Sequence, residues 1–214
     1  MKKNFGADLK IIVIGNAGTG KTSFVNRWTK NIFSETYKAT IVSEFGYKII
    51  NVNDVIYRIQ LWDLAGQDKN TCITKIFCKD AHGALILADC TDKVSLLETT
   101  KWKASIDDHS KFLDGGELPS VLILNKCDLM ESEDAADNLN EYSEKNNFLN
   151  SFRTSAKDGV NIKESIEFLI KEIIKRMSNI NPDDIQRNNQ SKISGVVKLG
   201  NNKSDKSSKT GCCL

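Results

Sequence analysis

With 214 residues and 30 Lys and Arg against 28 Asp and Glu, a net charge of +2, the chain has the size of one domain and lacks the strong field of a nucleic-acid binder. It holds no apolar run of the roughly 18 residues that a membrane helix needs, and Met1-Lys2-Lys3 leads into no signal-like apolar stretch. The six cysteines, Cys72, Cys78, Cys90, Cys127, Cys212 and Cys213, show no C-x-x-C pairing, which points to reduced thiols and away from a disulfide scaffold or a zinc site.

The first predicted element is a buried strand over 9–15, carried by Leu9-Lys10-Ile11-Ile12-Val13-Ile14. It runs into Gly15-Asn16-Ala17-Gly18-Thr19-Gly20-Lys21-Thr22, a complete G-x-x-x-x-G-K-[ST] phosphate loop, with Ser23 in the helix predicted over 21–30. In such a loop the backbone N–H groups form a nest for phosphate oxygens, and the helix N-terminus adds a positive dipole. Lys21 then reaches the β- and γ-phosphates, and the Thr22 hydroxyl holds Mg²⁺.

Strands over 45–52 and 55–62 follow, joined by Asn53-Asp54 alone. A link that short permits an antiparallel hairpin and excludes a crossover helix. Asp63-Leu64-Ala65-Gly66-Gln67 comes next. An Asp at a strand's C-terminal end suits a Mg²⁺ contact, Gly66 lets a backbone N–H approach the γ-phosphate, and Gln67 is placed to orient an attacking water.

A helix is predicted over about 71–80, a strand over 84–89, a helix over 94–110 and a strand over 120–125. The two strands are continuously apolar, as parallel strands covered on both faces are. Asn125-Lys126-Cys127-Asp128 sits at the second strand's end. The Asp128 carboxylate can accept from the N1–H and 2-amino group of guanine, an edge that adenine lacks. After a helix over 132–147 and a strand over about 152–154, Ser155-Ala156-Lys157 would give a backbone N–H to the guanine O6. Lys126 and Lys157 have aliphatic stems able to cover the base faces. The last helix, over 161–177, carries the stripe Ile162, Ile166, Leu169, Ile170, Ile173 and Ile174. The pattern predicts a doubly wound α/β fold: six strands, mostly parallel, with one antiparallel edge strand and helices on both faces. Its polar loops fall at strand C-termini, where such sheets bind ligands.

These motifs, in this order, resemble the small GTPases of the Ras superfamily, and the resemblance covers residues 9–177. Within that superfamily the chain is similar to the Rab branch. The resemblance implies GTP and GDP as substrate and product, Mg²⁺ held by Thr22, Thr40 and Asp63, and hydrolysis by Gln67 and Lys21. It makes Tyr37–Ile41 switch I, lays Phe33 against the guanine, and gives effectors a surface of Ile41, Phe45, Trp62 and Phe77. The partner-facing residues depart from the usual Rab pattern: Ile41-Val42-Ser43-Glu44-Phe45 stands for Ile-Gly-Val-Asp-Phe, and switch II continues Asp68-Lys69-Asn70 after Gln67. Leu61–Gly66, with an aliphatic residue after the Asp, and the long loop Phe112–Pro119 lean toward the Rab subgroup of lysosome-related organelles.

After residue 178 the texture becomes rich in Asn, Ser and Lys. Six basic residues (Arg187, Lys192, Lys198, Lys203, Lys206 and Lys209) face Asp183, Asp184 and Asp205, so residues 179–214 read as a disordered tail of net charge +3 behind a folded domain at 1–178. Its ending, Gly211-Cys212-Cys213-Leu214, is not C-a-a-X. It is similar to the double-cysteine ends of Rabs, which implies geranylgeranyl groups on Cys212 and Cys213. Two chains meet the requirement for stable anchoring. The implied partners are an exchange factor, an activating protein, prenyl-escort and GDP-dissociation-inhibitor proteins, effectors and the membrane itself. The implied location is the cytoplasmic face of intracellular membranes, endolysosomal or phagosomal for the subgroup, with a cytosolic GDP-bound pool. Neither Arg27 nor Arg58 is placed as a catalytic finger, so slow intrinsic turnover is expected, and Ala17 leaves room for a side chain from an activator. The competing readings are a non-hydrolysing GTP-binding scaffold and a P-loop ATPase or kinase; Asn125-Lys126-x-Asp128 weighs against the latter.

Overall fold

The computed structural model describes residues 4–36, 38–40, 43–66, 76–130 and 137–180. The expectations at Tyr37, Ile41, Gln67, Cys212 and Cys213, and the parts of predicted helices at 71–75 and 132–136, lie outside them.

Six strands form one sheet: β1 (Asn4–Gly15), β2 (Glu44–Val52), β3 (Val55–Asp63), β4 (Gly83–Asp89), β5 (Ser120–Asn125) and β6 (Asn150–Arg153), in the order β2-β3-β1-β4-β5-β6. β2 pairs antiparallel with β3 and every other pairing is parallel. The helices are α1 (Lys21–Lys30), α2 (Lys93–His109), α3 (Asp137–Lys145) and α4 (Ile162–Ser178), with a one-turn 3₁₀ segment at Cys127–Leu129. Every residue of β5 is buried, as are the first six of β4, which is why their sequences run apolar without alternation. On the α4 stripe, Ile162, Ile166, Leu169, Ile170 and Ile173 are buried, while Ile174 is half-buried at its edge. None of the described helices is long and apolar enough to cross a membrane.

Several boundaries differ from the sequence reading, most by one or two residues. β1 begins five residues early, because Asn4-Phe5-Gly6-Ala7-Asp8, which has no strand-like alternation, still pairs with the start of β3. Gly6 permits this: a Cβ there would lie 2.7 Å from Val55 Cγ1 and 2.8 Å from the Tyr57 ring. The helical turn at 76–78 stops before residue 80, where Asp80 takes a left-handed φ of 58°. α3 ends at Lys145 and not 147, as Asn147 turns left-handed at φ 57°.

The sheet core sets the spacing of all the site loops, and Leu85 is fully buried at its centre. Leu85→Ala should cost about 2–5 kcal/mol in urea unfolding. Leu97→Ala, at a residue 63% exposed on α2, should change stability by no more than about 0.5 kcal/mol.

Candidate functional site

The loops at the C-terminal ends of β1, β3, β5 and β6 surround a cavity of about 540 Å³. One end is lined by Ala17, Gly18, Gly20, Lys21, Thr22 and Ser23, the other by Asn125, Lys126, Asp128, Ala156 and Lys157. Phe33, Thr40 and Gly66 also line it, Thr40 and Gly66 beside the phosphate loop, so the three sequence-predicted loops and residues of the 33–40 stretch meet at one place.

The phosphate loop is shaped by close approach. Gly20 has φ +87°, and a Cβ on it would come within 2.5 Å of Asn125 Nδ2. A side chain on Gly66 would meet Ala17 N at 2.5 Å and Lys21 Nζ at 2.6 Å. Lys21 is buried and donates to the carbonyls of Gly15 (2.9 Å) and Asn16 (2.8 Å). Burial pushes its ammonium down to about 8, with the Asp63 carboxylate opposing the shift. A buried cation with this little negative charge around it gains strongly from an anion placed beside it. Beside it, Thr22 Oγ1 lies 2.8 Å from Thr40 Oγ1 and donates to Asp63 Oδ2 at 2.5 Å. Two hydroxyls and one carboxylate are hard oxygen donors of the kind Mg²⁺ takes together with phosphate oxygens and water, so this set fits that ion.

Gly15, Asn16, Thr19, Asp63 and Ser155 are not in the lining but hold it from behind. Asn125 Nδ2 donates to Thr19 O at 2.9 Å, and its Oδ1 accepts from Thr154 Oγ1 at 3.0 Å and Ala156 N at 3.3 Å. Ser155 Oγ donates to Asp128 Oδ1 at 2.6 Å, which aims the carboxylate proposed to read a base. Lys126, left-handed at φ 66°, pairs with Asp89 at 2.6 Å. Burial alone would raise the Asp89 carboxyl; bonds from Lys126 and Thr91 outweigh it and hold it below its ordinary value.

Sequence reasoning missed several lining residues, among them Asn26, Ile32 and Leu129. Ile32 and Leu129 are apolar yet 54% and 56% exposed, and apolar residues beside recognised motifs were the available signal. It also missed the clamp behind the phosphate loop, where Asn16 Nδ2 donates to Glu98 Oε2 and Trp102 Nε1 donates to Asn16 Oδ1, both at 2.8 Å. The two arginines are engaged elsewhere: Arg27 on the backbone at Ala156 and Lys157, Arg58 on Asp8. Outside the cavity, Phe45 stacks on Trp62 with centroids 5.4 Å apart, and Phe77 tilts against Trp62 at 5.8 Å. Phe45 is 59% exposed, and Lys10 Nζ lies 4.8 Å from the Trp62 ring.

Residues 10–175 match the family model described as the Ras family. The chain is 39% identical to Ras-related protein Rab-32A of Dictyostelium discoideum over 213 residues, 95% of this chain and 92% of that relative. It is 35% identical to Ras-related protein Rab-32 of Homo sapiens over 167 residues, 77% of this chain and 74% of that relative. To Ras-related protein Rab-7L1 of Homo sapiens it is 33% identical over 207 residues, 95% and 96% of the two chains.

The Asn16 amide must both accept from Trp102 and donate to Glu98. Asn16→Asp keeps the first bond and sets two carboxylates against each other, so it should lower stability by about 1–3 kcal/mol at neutral pH. The repulsion raises a folded-state carboxyl pKa, so the loss should shrink as the pH falls. Glu98→Gln in the same chain should restore most of it in thermal unfolding.

Proposed function

Because the chain belongs to the Ras family and, within it, to the Rab branch, we propose that it is a membrane-anchored GTP/GDP switch in vesicle trafficking that hydrolyses GTP slowly until an activating protein assists. The observation that supports this best is the cavity itself: the desolvated Lys21 and the Thr22–Thr40–Asp63 oxygens stand at one end, and the Ser155-held Asp128 at the other. A nucleotide with its phosphates on the loop and its base at Asp128 suits that arrangement of charge.

In this reading Asp128 accepts from the guanine N1–H and 2-amino group, a backbone N–H of Ser155–Lys157 meets O6, and Phe33, Lys126 and Lys157 flank the base. Backbone N–H groups of residues 15–23 and the Lys21 ammonium bind the phosphates, whose negative charge offsets the desolvation that lowers the Lys21 pKa. Thr22, Thr40 and Asp63 would hold Mg²⁺, whose chemistry there is to neutralise charge on the phosphate oxygens. Gln67 orients a water in line with the γ-phosphate; the water oxygen bonds to phosphorus as the bond to the β–γ bridging oxygen breaks, GDP leaves, the water's proton ends on the released phosphate, and Lys21 stabilises the charge that develops. Thr40 and the Gly66 N–H sense the γ-phosphate, and its loss releases their segments. Arg27 is engaged by the Ala156 and Lys157 carbonyls and Arg58 by Asp8, so in this reading the finger comes from the activating protein, worth about 10³–10⁵ in rate.

The switch would reside in residues 1–178, with 179–214 a tether ending in geranylgeranyl groups on Cys212 and Cys213. Exchange factor, prenyl-escort protein, GDP-dissociation inhibitor and effectors complete the cycle, the effectors docking on Ile41 and the Phe45–Trp62–Phe77 aromatics. The subgroup resemblance extends the proposal to the cytoplasmic face of endolysosomal or phagosomal membranes.

Competition for a fluorescent guanine nucleotide should show GTP and GDP displacing it and ATP failing at a hundredfold higher concentration. Single-turnover hydrolysis should be slow, on the order of 10⁻⁴–10⁻² s⁻¹, and Gln67→Leu should slow it at least tenfold. Equal competition by ATP would overturn the guanine assignment. Hydrolysis unaffected by Gln67→Leu would favour a nucleotide-binding scaffold.

A further inference from the structure

Arg27 lies on α1, six residues beyond Lys21, and its guanidinium turns away from the phosphate loop. Nε donates to the Ala156 carbonyl at 2.7 Å, and Nη2 donates to the Lys157 carbonyl. Nη1 donates at the helix end, to Asn31 O at 3.4 Å and Asn31 Oδ1 at 3.3 Å. Asn31 is the left-handed C-cap of α1 and the last residue before Ile32 and Phe33, which line the cavity. A bland account of a basic residue here is neutralisation of the helix C-terminus. That account covers the two long contacts to Asn31. It leaves unexplained the contacts to a segment about 130 positions away in sequence.

Those contacts have a chemical consequence. The Ala156 carbonyl shares its peptide group with the Lys157 N–H, and the Lys157 carbonyl shares its own with the Asp158 N–H. A cation bound at a carbonyl oxygen draws electron density and makes the N–H of that peptide a better donor. Asp158 N–H donates to Ser155 Oγ at 3.0 Å, and Ser155 Oγ–H donates to Asp128 Oδ1 at 2.6 Å. The chain of polarised bonds therefore starts at the guanidinium and ends on the carboxylate that faces the base end of the cavity. All of its links point the same way, donor to acceptor, toward Asp128. The exposed Lys157–Glu35 contact, 3.8 Å, ties the same segment to the 33–40 stretch.

We propose that Arg27 is a positioning residue for base recognition: it fixes and polarises the 155–158 turn so that Asp128 and the neighbouring N–H groups hold the base, and it thereby sets the lifetime of the bound nucleotide. This rests on the guanine assignment above. Charge-assisted bonds of this type are about twice as strong as neutral ones. Loss of both should therefore show in the base contacts far more than in the phosphate contacts.

The test compares GDP with inosine diphosphate, which differs by the 2-amino group that Asp128 would read. Full-length wild-type protein, Arg27→Gln and Arg27→Lys are loaded with a fluorescent GDP analogue, and dissociation is chased with each diphosphate. Arg27→Gln should release the analogue about tenfold faster or more. It should also compress the preference for GDP over inosine diphosphate at least threefold. Arg27→Lys retains the charge and loses the fork, so it should fall between. Ser155→Ala combined with Arg27→Gln should add little to either single change, because both interrupt one chain. Equal weakening toward both diphosphates would overturn the proposal and leave Arg27 a structural cap. If the Gln variant does not fold, the Lys variant makes the same comparison. Wild-type protein that binds neither diphosphate would instead refute the guanine assignment, a result distinct from an unchanged ratio in the variants.

Discussion

The arrangement of the site depends on one buried amide. Asn125 is 1% exposed, stands at the end of β5, and is bonded to the phosphate loop through Thr19 O and to the turn after β6 through Thr154 and Ala156. An unpaired amide in that position would cost about 1–3 kcal/mol, so its three bonds are effectively obligatory. They join the phosphate end of the cavity to the base end without relying on a ligand. The adjacent packing follows from it. Gly20 must lack a side chain because the Asn125 amide occupies that space, 2.5 Å from where a Cβ would be. Ala156 is held where Arg27 can reach its carbonyl.

Around this joint the structure places charge where a polyanion would neutralise it. Lys21 is taken out of water and supported within the protein by two carbonyls and by Asp63. Asp63 in turn faces the hydroxyls of Thr22 and, through it, Thr40. A cation whose pKa desolvation lowers despite these partners gains when phosphate oxygens are placed beside it. Affinity and specificity are thus located apart. The phosphate end supplies electrostatic attraction with little regard for the base. On the proposed reading, discrimination falls to Asp128 and its hydrogen-bonded support, since an ill-matched base would leave polar groups that the ligand covers unpaired.

Much of this was legible in the sequence because the motifs are local. The phosphate loop, Asp63–Gly66, Asn125–Asp128 and Ser155–Lys157 each stand beside a strand whose apolar run announces it, and α1 runs over Lys21–Lys30 as its pattern predicts. What was not legible depends on contacts between distant positions or on backbone atoms. Nothing in the sequence around Arg27 marks the carbonyls of Ala156 and Lys157 as its partners, because every residue has a carbonyl. Asn16 looks like a variable loop position until Glu98 and Trp102 of α2 are brought to it. The early start of β1 was hidden for a similar reason: its pairing with β3 at Asn4–Asp8 depends on the space left by Gly6, not on an alternating pattern.

The same contrast says where a switch can act. At the base end Asn125, Lys126, Ser155 and one oxygen of Asp128 are engaged within the protein, so a base bound there would need little ordering of these groups. A GTP and a GDP present the same base to it, and contacts that do not differ between two ligands cannot shift an equilibrium. The distinction must therefore arise where the γ-phosphate would lie. Thr40 reaches that point from a stretch of irregular backbone after α1, held to the phosphate loop by one 2.8 Å contact with Thr22. Gly66 comes so close to Ala17 and Lys21 that it has no room for a side chain. A ligand oxygen inserted between these groups must displace contacts the protein makes with itself. If the proposed switch operates here, the energy difference between the two nucleotide states is the balance between those internal contacts and the ones a third phosphate would offer.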